Sequence, residues 1–116
     1  MQPLGIHHVS VNVRDADEAV AFYVGVLGLA PRTDRPDFPF GGAWLDLAGQ
    51  QVHLIEGTVP DSNGQHFAVR VDDIDAAVRE LRDQGVTVSD AKPVGSGRQA
   101  FLHDPSGNLV ELHETA

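Results

Sequence analysis

Short stretches in which apolar and polar residues alternate recur along the chain, and they predict most of its strands. One such stretch opens each half of the sequence, at residues 6–13 and again at residues 66–71. Two further pairs of strands flank turn sequences, with residues 43–47 and 51–55 around one turn and residues 99–103 and 109–113 around the other. Short strands at residues 29–34 and near residues 86–88 complete the predicted pattern.

Apolar residues at helical spacing predict one helix in each half. Asp15 is placed to cap the first helix, with Glu18 as its capping-box partner, and Gly28 is placed to end it. Asp73 and Gly85 take the same places around the second helix. The buried stripes predicted for the two helices are Val20, Tyr23, Val24 and Leu27, and then Ile74, Ala77, Val78 and Leu81. Each half is therefore predicted to be β-α-β-β-β.

Two pairs of metal-ligand residue types share one spacing. His66 follows His8, and Glu111 follows His53, by the same interval (66 − 8 and 111 − 53 both give 58). The chain is therefore interpreted as a tandem duplication, with modules at about residues 4–56 and 64–114 inside one domain, 1–116. A sheet that is apolar on one face cannot bury that face alone, so we expect an α+β fold in which two βαβββ modules form a curved eight-stranded sheet, an open barrel or cup.

The duplication predicts that these four side chains lie on one face, two from each half, because side chains alternate along a strand. Imidazole and carboxylate together suit Zn, Ni, Co or Fe(II), whereas Mg and Ca prefer oxygen ligands. A bound metal polarises a carbonyl toward its enolate, and Glu111 is then both a ligand and a candidate base. The alternative for any single histidine is an ordinary surface or hydrogen-bonded role.

Charge and composition limit the partners. The chain of 116 residues has a net charge of −9, and its few Lys and Arg residues are scattered, which argues against nucleic acid and against anionic membrane surfaces. It has no cysteine, no apolar run of transmembrane length, and no signal-peptide pattern in its first residues. We therefore expect a cytoplasmic protein whose partner is a small molecule.

Several of these segments resemble the vicinal oxygen chelate superfamily. They are the opening Ile-His-His-Val at residues 6–9, the Phe-Tyr-Val-Gly-Val-Leu-Gly-Leu sequence at residues 22–29, and the Asp-Pro-Ser-Gly-Asn-Leu-Val-Glu-Leu close at residues 104–112. The superfamily includes glyoxalase I, methylmalonyl-CoA epimerase, fosfomycin-resistance proteins, extradiol dioxygenases and bleomycin-binding proteins. The resemblance implies a glyoxalase-like fold, a homodimer, and metal positions at His8, His53, His66 and Glu111. Most members have Glu or Gln where this chain has His53.

Other residues on the predicted inner face are candidates for substrate contact. His103 is either a second acid/base candidate or a residue at the rim that is hydrogen-bonded to Asp104. Arg70 is either an anion-binding residue or a surface partner of Asp72 or Asp73. Trp44 is either an aromatic wall or part of the core. The remaining candidates are Asn12, which stands where small bacterial glyoxalases have an arginine for glutathione, and Gln99 and Phe101, which share the face of His103.

Three functions agree with this pattern. The first is a metal-dependent, glyoxalase-like lyase or isomerase that acts on a small vicinal-oxygen substrate through a metal-stabilised enediolate, with Glu111 as the base. The second is an Fe(II) extradiol-type dioxygenase with His8, His66 and Glu111 as its facial triad. The third is a bleomycin-resistance-like protein that binds an antibiotic or metabolite without chemistry.

Overall fold

The computed structural model describes all 116 residues. The chain divides into two compact units, Met1–Pro60 and Asp61–Ala116, and each is a βαβββ module with its own four-stranded mixed sheet. The predicted α+β class, with eight strands in two repeated modules, is confirmed. Hydrogen bonding between strands stays within each module, which gives two sheets of four strands.

The first module has the strand order β1-β4-β3-β2. Strand β1 is parallel to β4, and the other neighbouring strands are antiparallel. Its elements are β1 His8–Val13, α1 Ala16–Val20 with a π-helical continuation Ala21–Val26, β2 Ala30–Pro31, β3 Gly42–Leu47 and β4 Gln50–Glu56.

The second module repeats this arrangement with the order β5-β8-β7-β6, in which β5 is parallel to β8. Its elements are β5 His66–Arg70, α2 Ile74–Asp83, β6 Lys92–Val94, β7 Gly97–His103 and β8 Leu109–Glu114. No helix in the chain combines the length and the apolar character that crossing a membrane would require.

The strand predicted near residues 86–88 was wrong in position. Val88 makes only an isolated bridge to Leu102, and the edge strand of this sheet is Lys92–Val94. The Val88 carbonyl accepts a hydrogen bond from Arg82 Nη2 at 2.7 Å, which ties this segment to the end of α2. Pro93 is compatible with β6 because that strand lies at the sheet edge, where a missing N–H costs little.

The predicted helix caps are present. The Asp15 carboxylate accepts from the Glu18 backbone N–H, and the Asp73 carboxylate accepts from that of Ala76, both at 3.0 Å. The Glu18 side chain pairs with Arg14 at 3.0 Å, so it takes a surface ion pair rather than the return bond of a capping box.

A second acidic residue reaches each helix start from the last strand of its module. Glu56 accepts a hydrogen bond from the Ala16 N–H, and Glu114 accepts one from the Ile74 N–H, both at 2.8 Å. The first N–H groups of a helix have no partner within the helix, and a carboxylate also suits the positive end of the helix dipole. These bonds therefore tie each helix to the closing strand of its sheet.

The first helix widens into a π-helical turn after Val20. Leu27 N–H donates to the Phe22 carbonyl at 3.0 Å, five residues back. This register lets two consecutive large residues, Phe22 and Tyr23, both become buried, with their rings edge to face at 5.4 Å. The positive φ of Gly28, +82°, ends the segment as predicted.

One face of each sheet packs against its helix and forms the core. Of the predicted stripe on α2, Ile74, Val78 and Leu81 are buried. The sheets contribute mainly the residues that alternate with the candidate site positions, namely Val13, Leu45, Val52 and Leu54 in the first module and Ala100, Leu102, Val110 and Leu112 in the second.

We expect Glu114→Ala to destabilise the protein by about 1–2 kcal/mol, because it leaves the Ile74 N–H without its carboxylate partner in a residue that is fully buried. Urea unfolding followed by circular dichroism measures the change. Glu80→Ala, on the exposed side of the same helix, is the matched control and should change stability little. Equal effects of the two substitutions would contradict the role of Glu114.

We expect Gly42→Ala to destabilise by at least about 2 kcal/mol, because an added Cβ would overlap the Leu54 backbone carbonyl on the neighbouring strand. Gly25→Ala is the control, since a Cβ there meets nothing within 4 Å and alanine favours a helix. The same unfolding measurement compares them. A Gly42→Ala protein as stable as the native chain would show that β3 and β4 are not so closely packed.

Candidate functional site

The second-module candidates share the face of the sheet that points away from α2. Strand β8 is central, and Glu111 lies between Ala68 on β5 and Phe101 on β7 in the strand register. Alternation along the three strands places the other predicted residues on this same face, namely His66, Arg70, Gln99 and His103.

His66 and Glu111 are in contact. His66 Nε2 lies 3.0 Å from Glu111 Oε1, and His66 Nδ1 lies 2.7 Å from the Gly64 carbonyl oxygen. A carbonyl can only accept, so Nδ1 carries a proton and Nε2 is the nitrogen that faces the carboxylate. Because a neutral imidazole would then present a lone pair to a carboxylate oxygen, a cation is needed between them, either a proton or a metal ion.

The surroundings of His66 favour its protonated form. The bond to the Gly64 carbonyl has the largest effect and raises the pKa of His66 above its usual value. Desolvation opposes this rise, and the neighbouring Glu111 carboxylate adds to it. Glu111 itself is only 7% exposed. The donor atoms, their spacing and the fixed tautomer therefore suit a metal that binds nitrogen and oxygen ligands.

His113 is a site residue that the sequence analysis left unassigned. Its Nδ1 lies 2.8 Å from Glu111 Oε2, so each oxygen of the carboxylate faces a different imidazole. The alternation of β8 already put His113 on the Glu111 face. Contact was not predictable from that alone, because residues two apart on a strand touch only when their side chains lean toward each other.

The other second-module candidates surround this pair. In the strand register His113 lies between Arg70 and Gln99, while His103 is exposed beside Leu109 at the other end. The Asp104 carboxylate accepts hydrogen bonds from the Ser106 and Asn108 N–H groups at 2.9 Å, and so closes the turn that follows β7. The second imidazole in contact with Glu111, beside that of His66, is therefore His113.

In the first module the equivalent face carries a stack of three rings. The His8 and His53 rings are stacked at 3.9 Å between centroids, and the His53 and Trp44 rings at 4.3 Å. His53 is 6% exposed, and burial lowers its pKa, as do the neighbouring His8 and His7. Its Nε2 bonds to Gln51 Oε1 at 2.8 Å, while His8 Nδ1 lies 2.9 Å from His7 Nδ1.

The two modules use one geometric relation for different chemistry. In each, the first residue of the opening strand reaches diagonally to the central strand, so that His8 meets His53 and His66 meets Glu111. Because the His8 and His53 rings are stacked, their nitrogen lone pairs lie in nearly parallel planes. Lone pairs arranged in this way do not point at one common position. The chain contains no group of three or more His, Asp or Glu side chains arranged to hold a metal ion.

A cavity of about 130 Å³ adjoins the ring stack in the first module. The loop of residues 32–41 between β2 and β3, the rim loop, covers it, and Trp44 lines one wall. Asn12 is at the far end of the same face, where its Nδ2 donates to the Thr58 carbonyl at 3.0 Å. The residues that line the cavity are Arg35, Phe38, Phe40, Trp44, His53, Leu54 and Ile55.

Known proteins are similar to this chain in sequence and fold. A curated relative, Glyoxylase I 4 from Arabidopsis thaliana, is 29% identical over 92% of this chain and 68% of its own length. The crystal structure of a protein assigned to the glyoxalase family from Bacillus anthracis is 28% identical, covers 100% of this chain and 98% of its own, and has a TM-score of 0.90. TnmS3, an antibiotic binding protein from Streptomyces sp. CB03234, is 31% identical, with 100% and 99% coverage and a TM-score of 0.82.

A family model extends this likeness along nearly the whole sequence. The model for the Glyoxalase/Bleomycin resistance protein/Dioxygenase superfamily matches residues 5–112. That range includes most of both modules and all four predicted metal positions. The chain belongs to this superfamily.

Proposed function

We propose that this protein is a metal-dependent lyase or isomerase that acts on a small molecule with two adjacent oxygens, and that Glu111 moves the proton. The observation that carries the proposal is the contact between His66 Nε2 and Glu111 Oε1 at 3.0 Å, with Nδ1 of the same ring held by the Gly64 carbonyl. Two electron-pair donors that face each other in this way need a cation between them.

The donors we propose for the metal begin with His66 and Glu111. His8 and His53 hold the equivalent positions of the first module and are the further candidates. Imidazole nitrogen with a carboxylate favours Zn, Ni, Co or Fe(II). When bound, such an ion polarises a substrate carbonyl and makes the neighbouring C–H more acidic.

Glu111 has the surroundings of a proton carrier. It is nearly buried, and a hydrogen bond to His113 at 2.8 Å fixes the oxygen that does not face His66. A carboxylate held in one orientation can take a proton from the carbon next to a carbonyl and return it to the adjacent carbon. Arg70 and Gln99 flank His113 in the strand register, and we propose them as contacts for polar groups of a substrate.

We expect protein purified without chelators to contain near-stoichiometric Zn, Ni, Co or Fe, and His66→Ala to lose it, because the fixed Nε2 donor is removed. Plasma mass spectrometry measures the content. His103→Ala removes an exposed imidazole from the same module and should retain the metal. His8→Ala and His53→Ala test the first-module donors in the same way. Protein that stays empty after incubation with all four metals would refute a metal centre.

We expect Glu111→Gln to slow proton exchange at the substrate carbon by ~100-fold or more, because an amide cannot accept the proton. The assay follows the loss of the C–H signal of hydroxyacetone and lactaldehyde in D₂O by proton NMR, with metal-loaded protein. Glu80→Gln, an exposed carboxylate on α2, should exchange at the native rate. Full exchange by Glu111→Gln would rule out Glu111 as the base. Absence of exchange by the native protein with both probes would count against this activity.

A further inference from the structure

The cavity in the first module has a chemistry that the proposed proton transfer does not use. Its lining comes entirely from the rim loop and from strands β3 and β4, and it contains one cation and several aromatic rings but no carboxylate. Every lining residue lies between positions 35 and 55, so its properties can be tested separately from Glu111.

The size of the cavity limits what it can hold. Its volume is about 130 Å³. An engineered apolar cavity of roughly 150 Å³ in another protein binds benzene, so this space matches one six-membered ring.

Aromatic rings make up much of the cavity wall. Phe38 and Phe40 are stacked at 5.0 Å, and Trp44 is stacked on His53 at 4.3 Å. Phe38 lies 6.3 Å from Trp44 at an interplanar angle of 54°, so the two stacks are tilted toward each other. Offset and edge-to-face contacts at such distances favour a planar aromatic guest over a saturated one.

Arg35 supplies the charge. Its guanidinium carbon lies 5.1 Å from the centre of the Phe38 ring and 5.7 Å from that of Phe40, and its Nη2 donates to the Phe40 carbonyl at 2.8 Å. That bond uses one of the five N–H groups of the guanidinium and fixes its position. A planar, positioned guanidinium binds a carboxylate better than it binds a neutral group of the same shape.

We propose that this cavity binds a single aromatic ring that carries a carboxylate, with the ring against Trp44 and Phe38 and the carboxylate on Arg35. The class is an aromatic carboxylate of benzoate size. The chain as a whole has a net charge of −9, so long-range attraction does not account for anion binding here, and the local cation has to provide it.

The sole tryptophan of the chain is Trp44, so intrinsic tryptophan fluorescence reports on this cavity directly. The test titrates chelator-treated, full-length protein at physiological salt with benzoate, its neutral isostere benzamide, and cyclohexanecarboxylate. We expect saturable quenching by benzoate. The affinity for benzamide should be at least ~10-fold lower because the charge-assisted bond is lost, and the affinity for cyclohexanecarboxylate at least ~10-fold lower because ring stacking is lost. Equal affinity for benzoate and benzamide, or no saturable response to benzoate, overturns the proposal.

Three variants identify the source of the selectivity. Arg35→Gln should lower the affinity for benzoate by ~10-fold and leave the affinity for benzamide unchanged. Arg35→Lys should keep part of the preference for benzoate. Arg14→Gln removes a surface guanidinium from the same module and should behave like the native chain. If Arg35→Gln leaves the benzoate affinity unchanged, or lowers both affinities equally, the assignment of the carboxylate to Arg35 is wrong. Glu111→Gln should bind benzoate normally, so failure here and failure of the proposed catalysis are distinguishable.

Discussion

The parallel pairing of the opening strand with the closing strand is the constraint on which each module depends. Two parallel neighbours cannot be joined by a tight turn, so the chain must cross over the sheet, and the helix together with the two intervening strands provides that path. The pairing makes the closing strand central, with a neighbour on each side. It also sets the diagonal by which residue 8 reaches residue 53 and residue 66 reaches residue 111. The core, the helix position and the polar face all follow from this one pairing.

On this common frame the two modules have diverged in chemistry. The first carries a stack of aromatic rings, in which burial lowers the pKa of His53 and Trp44 stacks on its ring. The second carries an ionisable pair, in which Glu111 lies beside His66 and contributes to the raised pKa of that imidazole. His53 stands where most members of the family that the sequence resembles have Glu or Gln, and an imidazole at this position permits the ring stack with His8 and Trp44.

Sequence alone could predict much of this. The 58-residue repeat, the Asp15 and Asp73 caps, and the alternation that puts Glu111 and His66 on one face can all be recognised from the order of residues in the chain. The helix caps and the strand register of the structure agree with them. The π-helical turn was not predictable, because it depends on burying Phe22 and Tyr23 together, which is a tertiary effect. The same holds for Arg35, whose place depends on how a loop without regular structure folds over β3 and β4, and for His113, whose contact depends on a rotamer.

The hydrogen bonds from Glu56 and Glu114 to the helix starts have an evolutionary consequence. In each module a residue of the last strand, forty positions further along the chain, accepts a hydrogen bond from one N–H group at the start of the helix. A gene segment that encodes one module thus also encodes the group that stabilises its helix, and duplication copies both at once. Substitutions on the opposite face of each sheet, which carries the candidate site residues, leave both of these bonds in place.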